Sequence, residues 1–221
     1  MKTATAGEMQ QLENYRIAFI NMEKVGEIKL RLGEYGYDQE KINEGKSLYE
    51  RAQSLFDKNK KTTADARHAY ELFQMVYKEV KDVYNNHRKK AKVALMDNPE
   101  LFVVFDLKGL RKDRYIEWLH SVRTFYEQAQ NNVSARPMLE VYKINKEAID
   151  EQWQRISKMQ LYRAEYERKR GESQDATRLK NQALEDIKQW MNRFYTIARV
   201  VLEDRPQLLE AVMKFVRSTR N

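Results

Sequence analysis

The feature that most limits what this chain can fold into is a self-match at a spacing of 107 residues. Asp97-Asn-Pro-Glu-Leu101 aligns with Asp204-Arg-Pro-Gln-Leu208, and the same shift, without a gap, pairs Leu12 with Leu119, Arg16 with Arg123, Tyr35 with Tyr142, Ile42 with Ile149, Ala69 with Ala176 and Leu95 with Leu202. Apolar positions pair with apolar positions while charged ones vary, which is what a shared packing pattern requires. The clearest stretch is Val76, Val80, Val83, His87, Ala91 and Ala94, which step by three and four and so share one helical face. Their partners are Ala183, Ile187, Trp190, Phe194, Ala198 and Val201.

Helix boundaries repeat along with the stripe. A first helix is expected to end at Gly33 to Gly36, where glycine accepts a left-handed cap, and a second to start after Asp38, whose counterpart Asn145 is an equally good N-cap. Polar turns are expected at Asp57–Thr63 and at Arg170–Ser173, closing the second helix of each half. Pro99 and Pro206 each open a short last helix. The first helix reads as continuous in the first half and as broken between Asn132 and Pro137 in the second. The pattern predicts an all-α fold of two tandem up-and-down antiparallel bundles, 1–107 and 108–221, each with three long helices and one short one. No segment alternates as a strand would, so no sheet is expected.

Tyr35-Gly-Tyr-Asp38, Glu44-Gly-Lys46, His87-Arg-Lys-Lys-Ala-Lys92, Gly171-Glu-Ser-Gln-Asp-Ala-Thr177 and Val201-Leu-Glu-Asp-Arg-Pro-Gln-Leu-Leu-Glu210 resemble the recurrent blocks of a family of bacterial tandem-repeat helical-bundle proteins with no assigned activity. The resemblance covers most of the chain. It implies a bacterial cytosolic origin and carries no functional residues across.

Chemistry is sparse in the side chains. There is no cysteine, so disulfide frameworks and thiolate metal sites are excluded. Seven scattered glycines form no phosphate-binding loop. A carboxylate-bridged di-iron site needs two Glu-x-x-His pairs on facing helices, and only Glu117-Trp-Leu-His120 has that spacing. Of the three histidines, His87 alone lies on the apolar stripe, opposite Phe194 of the other half, and reads as a hydrogen-bonded histidine at the core edge. His120 reads as a boundary residue. The expectation is a protein without enzymatic activity, cofactor or metal. The polar segment Met1 to Gln10 lacks the apolar stretch of a secretion signal, and no window is apolar enough for a membrane span, so a cytoplasmic protein is expected.

Charge supplies the remaining signal. The net charge is +8; residues 1–107 hold 18 Lys and Arg against 17 Asp and Glu, whereas 108–221 hold 23 against 16. Arg88, Lys89, Lys90 and Lys92 end a helix, and Lys108, Arg111, Lys112 and Arg114 open the next half. If the short helix between them folds back, the two groups share a face and form an anion-binding surface. Cations at a helix C-terminus also interact favourably with its dipole, which accounts for the first group without any ligand. Two functions follow from the sequence: an interaction or structural module that binds a protein partner or itself, or electrostatic binding of nucleic acid or another polyanion.

Overall fold

The computed structural model describes residues 4–109 and 114–213. The chain is all α-helical, with no strand among the described residues. The helices are α1 (Ala4–Lys24), α2 (Gly26–Glu34), α3 (Gln39–Ala94), α4 (Pro99–Val104), α5 (Tyr115–Asn131), α6 (Arg136–Val141), α7 (Lys146–Val201) and α8 (Pro206–Val212).

The largest departure from the sequence reading is that neither polar turn exists. Residues 57–63 lie inside α3 and residues 170–173 inside α7, each an unbroken helix of 56 residues. The residues that read as turn formers are used otherwise. Thr62 and Thr177 donate their hydroxyls to the carbonyls of Asn59 and Ser173, Asn59 donates to the Thr177 hydroxyl at 2.8 Å, and Thr63 and Ser173 share a hydrogen bond. Gly171 costs about 1 kcal/mol in a helix interior, too little to break one with no proline nearby.

Two further boundaries behave as the cap chemistry dictates. The Asp38 carboxylate accepts from the Lys41 N–H at 2.9 Å and the Asn145 side chain from the Ala148 N–H at 3.1 Å, so α3 and α7 start where expected. Before them, α2 closes with Gly36 at φ +82° and the Tyr37 N–H reaching back to the Leu32 carbonyl, while α6 closes with Lys143 at φ +64° and the Ile144 N–H reaching back to Leu139. Asp106, at φ +49°, turns the chain after α4 in the same way.

The first helix of the first half is not continuous. Val25 leaves the helix at φ −95°, ψ 100°, and separates α1 from α2. The expected break of the second half is present, with Asn132 at the same position 107 residues later. No proline or cap dictates the break at Val25. Its outcome is that Ile28 and Leu32 are fully buried, as are their counterparts Ala135 and Leu139.

The chain divides into two compact units, and these do not follow the partition at 107/108. Unit 1 takes the chain up to Ala64 and from Gly171 onward, and unit 2 takes Asp65–Arg170. Each therefore draws on both long helices. In unit 1, Leu12, Phe19 and Met22 of α1 and Ile42 and Phe56 of α3 pack with Ile187, Trp190 and Phe194 of α7. In unit 2, Phe73, Val80 and Tyr84 of α3 pack with Phe125 and Tyr126 of α5 and Ile149 and Ile156 of α7.

Within each unit α3 and α7 run antiparallel. In unit 1, Gly45 lies beside Trp190, Arg51 pairs with Asp186 at 3.8 Å, and Asn59 with Thr177. In unit 2, Tyr70 meets Tyr166 and Phe73 lies under Arg163. Burial of apolar stripes at the two ends of each long helix supplies the stabilisation, of the order of 1.5–3 kcal/mol for each large side chain. The middles contribute less, since no residue is fully buried between Phe56 and Ala69 or between Met159 and Ala176.

Candidate functional site

The basic residues are sorted by burial. Arg88 is 9% exposed, and its guanidinium donates to the carbonyls of Leu107 at 3.1 Å, Asp106 at 3.4 Å and Gly109 at 3.5 Å. It is a clamp that holds the segment after α4 against α3, with all three bonds donated by Nη2. Ser121 adds a second tie by donating to the Asp106 carboxylate at 2.5 Å. The consequence is that α4 does fold back, which brings the exposed Lys108 next to the turn of α3 that carries Lys89, Lys90 and Lys92. Lys89 is exposed, Lys90 and Lys92 are half-buried, and the exposed Arg114 sits 3.8 Å from Glu117. Arg111 and Lys112 lie outside the described residues.

The end of α3 and α4 also carry exposed apolar residues that the sequence reading passed over. On α3 and the turn after it, Lys89, Val93 and Met96 follow at four and three residues, one face of a helix. Met96 is 64% exposed, and on α4 Val103 is 59% exposed, with Val93 and Val104 also exposed. The residues at the corresponding places in unit 1 are Glu203 for Met96 and Glu210 for Val103, both exposed. At the shift of 107, glutamate thus stands opposite Met96 and Val103, whereas Val93 has the exposed Val200 opposite it.

The histidine at the core edge is as the stripe implied. His87 is 7% exposed, and its Nδ1 shares a 3.0 Å hydrogen bond with the hydroxyl of the fully buried Tyr126. Burial, helped by the charge of Lys90, pushes its pKa down to about 4, so the ring is neutral at physiological pH. Burial raises the Tyr126 hydroxyl far above its usual range. Neither group reaches solvent in a way that suits a catalytic base. Glu117 and His120 are both exposed, His120 more so than a boundary residue would be, while Trp118 between them is buried. Among the described residues no group of three or more His, Asp or Glu side chains is placed to hold a metal ion, and no helix is long and apolar enough to cross a membrane.

Unit 2 also contains an open cleft of about 400 Å³ between the end of α5, α6 and the start of α7, floored by Ala129, Ile144 and Ile149. No family model, curated protein or solved structure matches the chain, so the resemblance drawn from its sequence blocks stands on those blocks alone.

Proposed function

We propose that the chain is a non-enzymatic protein-interaction module, built from two diverged tandem copies of one helical-bundle plan, whose contact surface is the strip formed by the end of α3 and by α4. The common plan is supported by helix ends that coincide at a shift of 107: α3 starts at Gln39 and α7 at Lys146, and they end at Ala94 and Val201. In this reading the copies exchange the halves of their long helices, so that each compact unit combines the start of one with the end of the other.

The observation that carries the proposal is the substitution of Met96 and Val103 for Glu203 and Glu210 at equivalent exposed positions. Folding does not need hydrocarbon there, because unit 1 forms with glutamate. Contiguous exposed apolar surface beside charge is the mark of a contact site. With Lys89 and Lys108 flanking it, the strip fits a partner segment that presents an apolar face edged by carboxylates. The reading assigns no cofactor and no catalysis.

The test uses a fluorescent amphipathic helical peptide with leucine on one face and glutamate along its edges. Saturable binding by the wild-type protein, weakened at least about 10-fold in Met96→Glu/Val103→Glu, is the expected result, a difference of about 1.4 kcal/mol. Since both substitutions install residues that unit 1 tolerates, the circular dichroism of the variant should be unchanged. Absence of binding, or equal binding by the variant, refutes the assignment.

A second reading is favoured by the Arg88 clamp, which brings Lys108 towards Lys89, Lys90 and Lys92 and so builds a surface for a polyanion. Its test is binding of nonspecific DNA or RNA at about 50 mM salt, where counterion release makes such binding strongest. Detectable affinity that falls steeply with salt supports it, and none at that salt removes it.

A further inference from the structure

The cleft of unit 2 has a closed counterpart. Moving its lining residues Ala129, Gln130, Arg136, Ile144, Lys146 and Ile149 back by 107 gives Met22, Glu23, Lys29, Tyr37, Gln39 and Ile42, which line a pocket at the same place in unit 1. The space differs greatly: about 400 Å³ in unit 2 against about 10 Å³ in unit 1. Two side chains account for the difference. Met22, 2% exposed, fills the place of Ala129, and Tyr37 fills that of Ile144 and sets its ring edge against Trp190 and Phe194. The plan of the fold can therefore be packed shut at this point, and unit 2 is not.

What surrounds the opening is specific in charge. Arg136 and Glu140 lie four residues apart on α6, and Lys146 and Asp150 four apart on α7, all lining the cleft. At this spacing opposite charges ordinarily pair across the helix surface. The protein has many such pairs, including Arg155 with Glu151 at 2.5 Å and Arg67 with Glu71 at 3.1 Å, but no ion pair joins these four residues to one another. Arg136 instead donates to the carbonyl of Gln130 at the end of α5, which holds the guanidinium at the cleft. The result is a cavity of ligand size with a buried apolar floor and a rim that offers two cations and two anions.

We infer that this cleft binds a small zwitterion with an apolar body, its carboxylate held by Arg136 and Lys146, its ammonium by Glu140 and Asp150, and its hydrocarbon laid on Ala129, Ile144 and Ile149. The chemistry is that of a free apolar amino acid or of a short apolar peptide with both termini free. Guanidinium and carboxylate match in geometry and form charge-assisted hydrogen bonds, and the two carboxylates suit an ammonium, which donates in three directions. The cleft shares no residue with the strip on α3 and α4, so this inference stands or falls apart from the proposed function.

The experiment is isothermal titration of the purified full chain with leucine and with the dipeptide leucyl-leucine, each up to about 10 mM, a range that includes affinities near 1 mM or −4.1 kcal/mol. Binding of one or both is expected, and which of the two binds more tightly identifies the source. The same compounds with the amine acetylated or the carboxylate amidated should bind at least 10-fold more weakly. Ala129→Met, which installs the residue unit 1 carries, should abolish binding while leaving the urea midpoint within the range of a volume adjustment. Ile144→Tyr serves the same purpose if the first variant fails to fold. No heat of binding with either zwitterion, undiminished binding of the blocked compounds, or undiminished binding by a folded Ala129→Met or Ile144→Tyr protein each overturns the inference.

Discussion

Adding one methyl group at Gly45 tests the packing of unit 1 at its tightest point. Gly45 is buried within α3, and a Cβ built there would lie 2.5 Å from Cε2 and Cζ2 of Trp190. The indole has nowhere to go. Phe194 stacks on it at 5.7 Å and 10°, Tyr37 meets it edge-on at 5.6 Å, and Phe19 lies 5.5 Å away. Overpacking of this kind costs about 1–3 kcal/mol, and the gain in helix propensity from glycine to alanine returns about 1 kcal/mol. Because the approach is well inside van der Waals contact, Gly45→Ala should lose about 1–2 kcal/mol net. Gly171→Ala is the control: it lies in α7, is exposed, belongs to the same unit, and has nothing within 4 Å of the new Cβ. It should gain about 1 kcal/mol. Urea unfolding followed by circular dichroism should therefore separate the two variants by about 2–3 kcal/mol, with similar m-values. In a Trp190→Val background Gly45→Ala should turn stabilising. If Gly45→Ala stabilises the wild-type protein as much as Gly171→Ala does, the contact between α3 and α7 at this point is not as described.

Two further perturbations address polar groups in the cores. His87 takes up a proton near pH 6.5 when unfolded and near 4 when folded, so the unfolded chain binds more protons in between and stability falls as pH drops through that window. The unfolding free energy from urea titrations should decline from pH 7 to pH 4, by an amount on the order of 2–3 kcal/mol from this residue. The His87→Phe protein, carrying the residue of the other half, should lack that component; an unchanged slope would refute it. Lys180, 8% exposed, donates to both carboxylate oxygens of Glu8 at 2.7 and 2.9 Å, and its counterpart in unit 2 is the buried Phe73. Glu8→Gln strands an ammonium and should cost about 2–3 kcal/mol, whereas Glu8→Gln/Lys180→Met should recover most of that loss, as urea midpoints of the single and double variants will show.

Much of the architecture was legible because caps and stripes are local. Asp38, Asn145, Gly36, Pro99 and Pro206 act on the backbone within a few residues, and each ends or starts a helix where its chemistry says it should. The polar turns failed for a physical reason. Apolar periodicity reports which helical faces are buried, not where the backbone hydrogen bonds stop, so a helix that runs on unburied looks like a turn. Lys58 to Ala64 and Arg170 to Ser173 are such stretches, with no proline to stop the ladder. The stripe is equally silent about its partner. A turn at residues 57–63 would have folded the end of α3 back on its own beginning; without one, both parts of α3 pack against α7, and the compact units combine segments far apart in sequence. The break at Val25 has only Gly26, directly after it, as a local signal, and it serves the burial of Ile28 and Leu32.

The sites call for a different kind of reading. A charge count treats Arg88 like its neighbours Lys89 and Lys90, and only burial reveals that it is spent on three backbone carbonyls. The cleft and the apolar strip, by contrast, leave a trace in the sequence once the two halves are laid over each other. Where Trp190 replaces Val83, Gly45 replaces Gln152, so a gain in volume on one helix is offset by a loss on the helix beside it. That is what conserving a packed core demands. At the cleft the changes from Met22 to Ala129 and from Tyr37 to Ile144 both remove volume, and the space there is about 400 Å³ against about 10 Å³. On the strip the changes from Glu203 to Met96 and from Glu210 to Val103 both remove charge from solvated positions. Compensated exchanges of this kind keep a core filled. Exchanges that run in one direction have no such explanation, and they fall on the strip and the cleft for which binding is proposed.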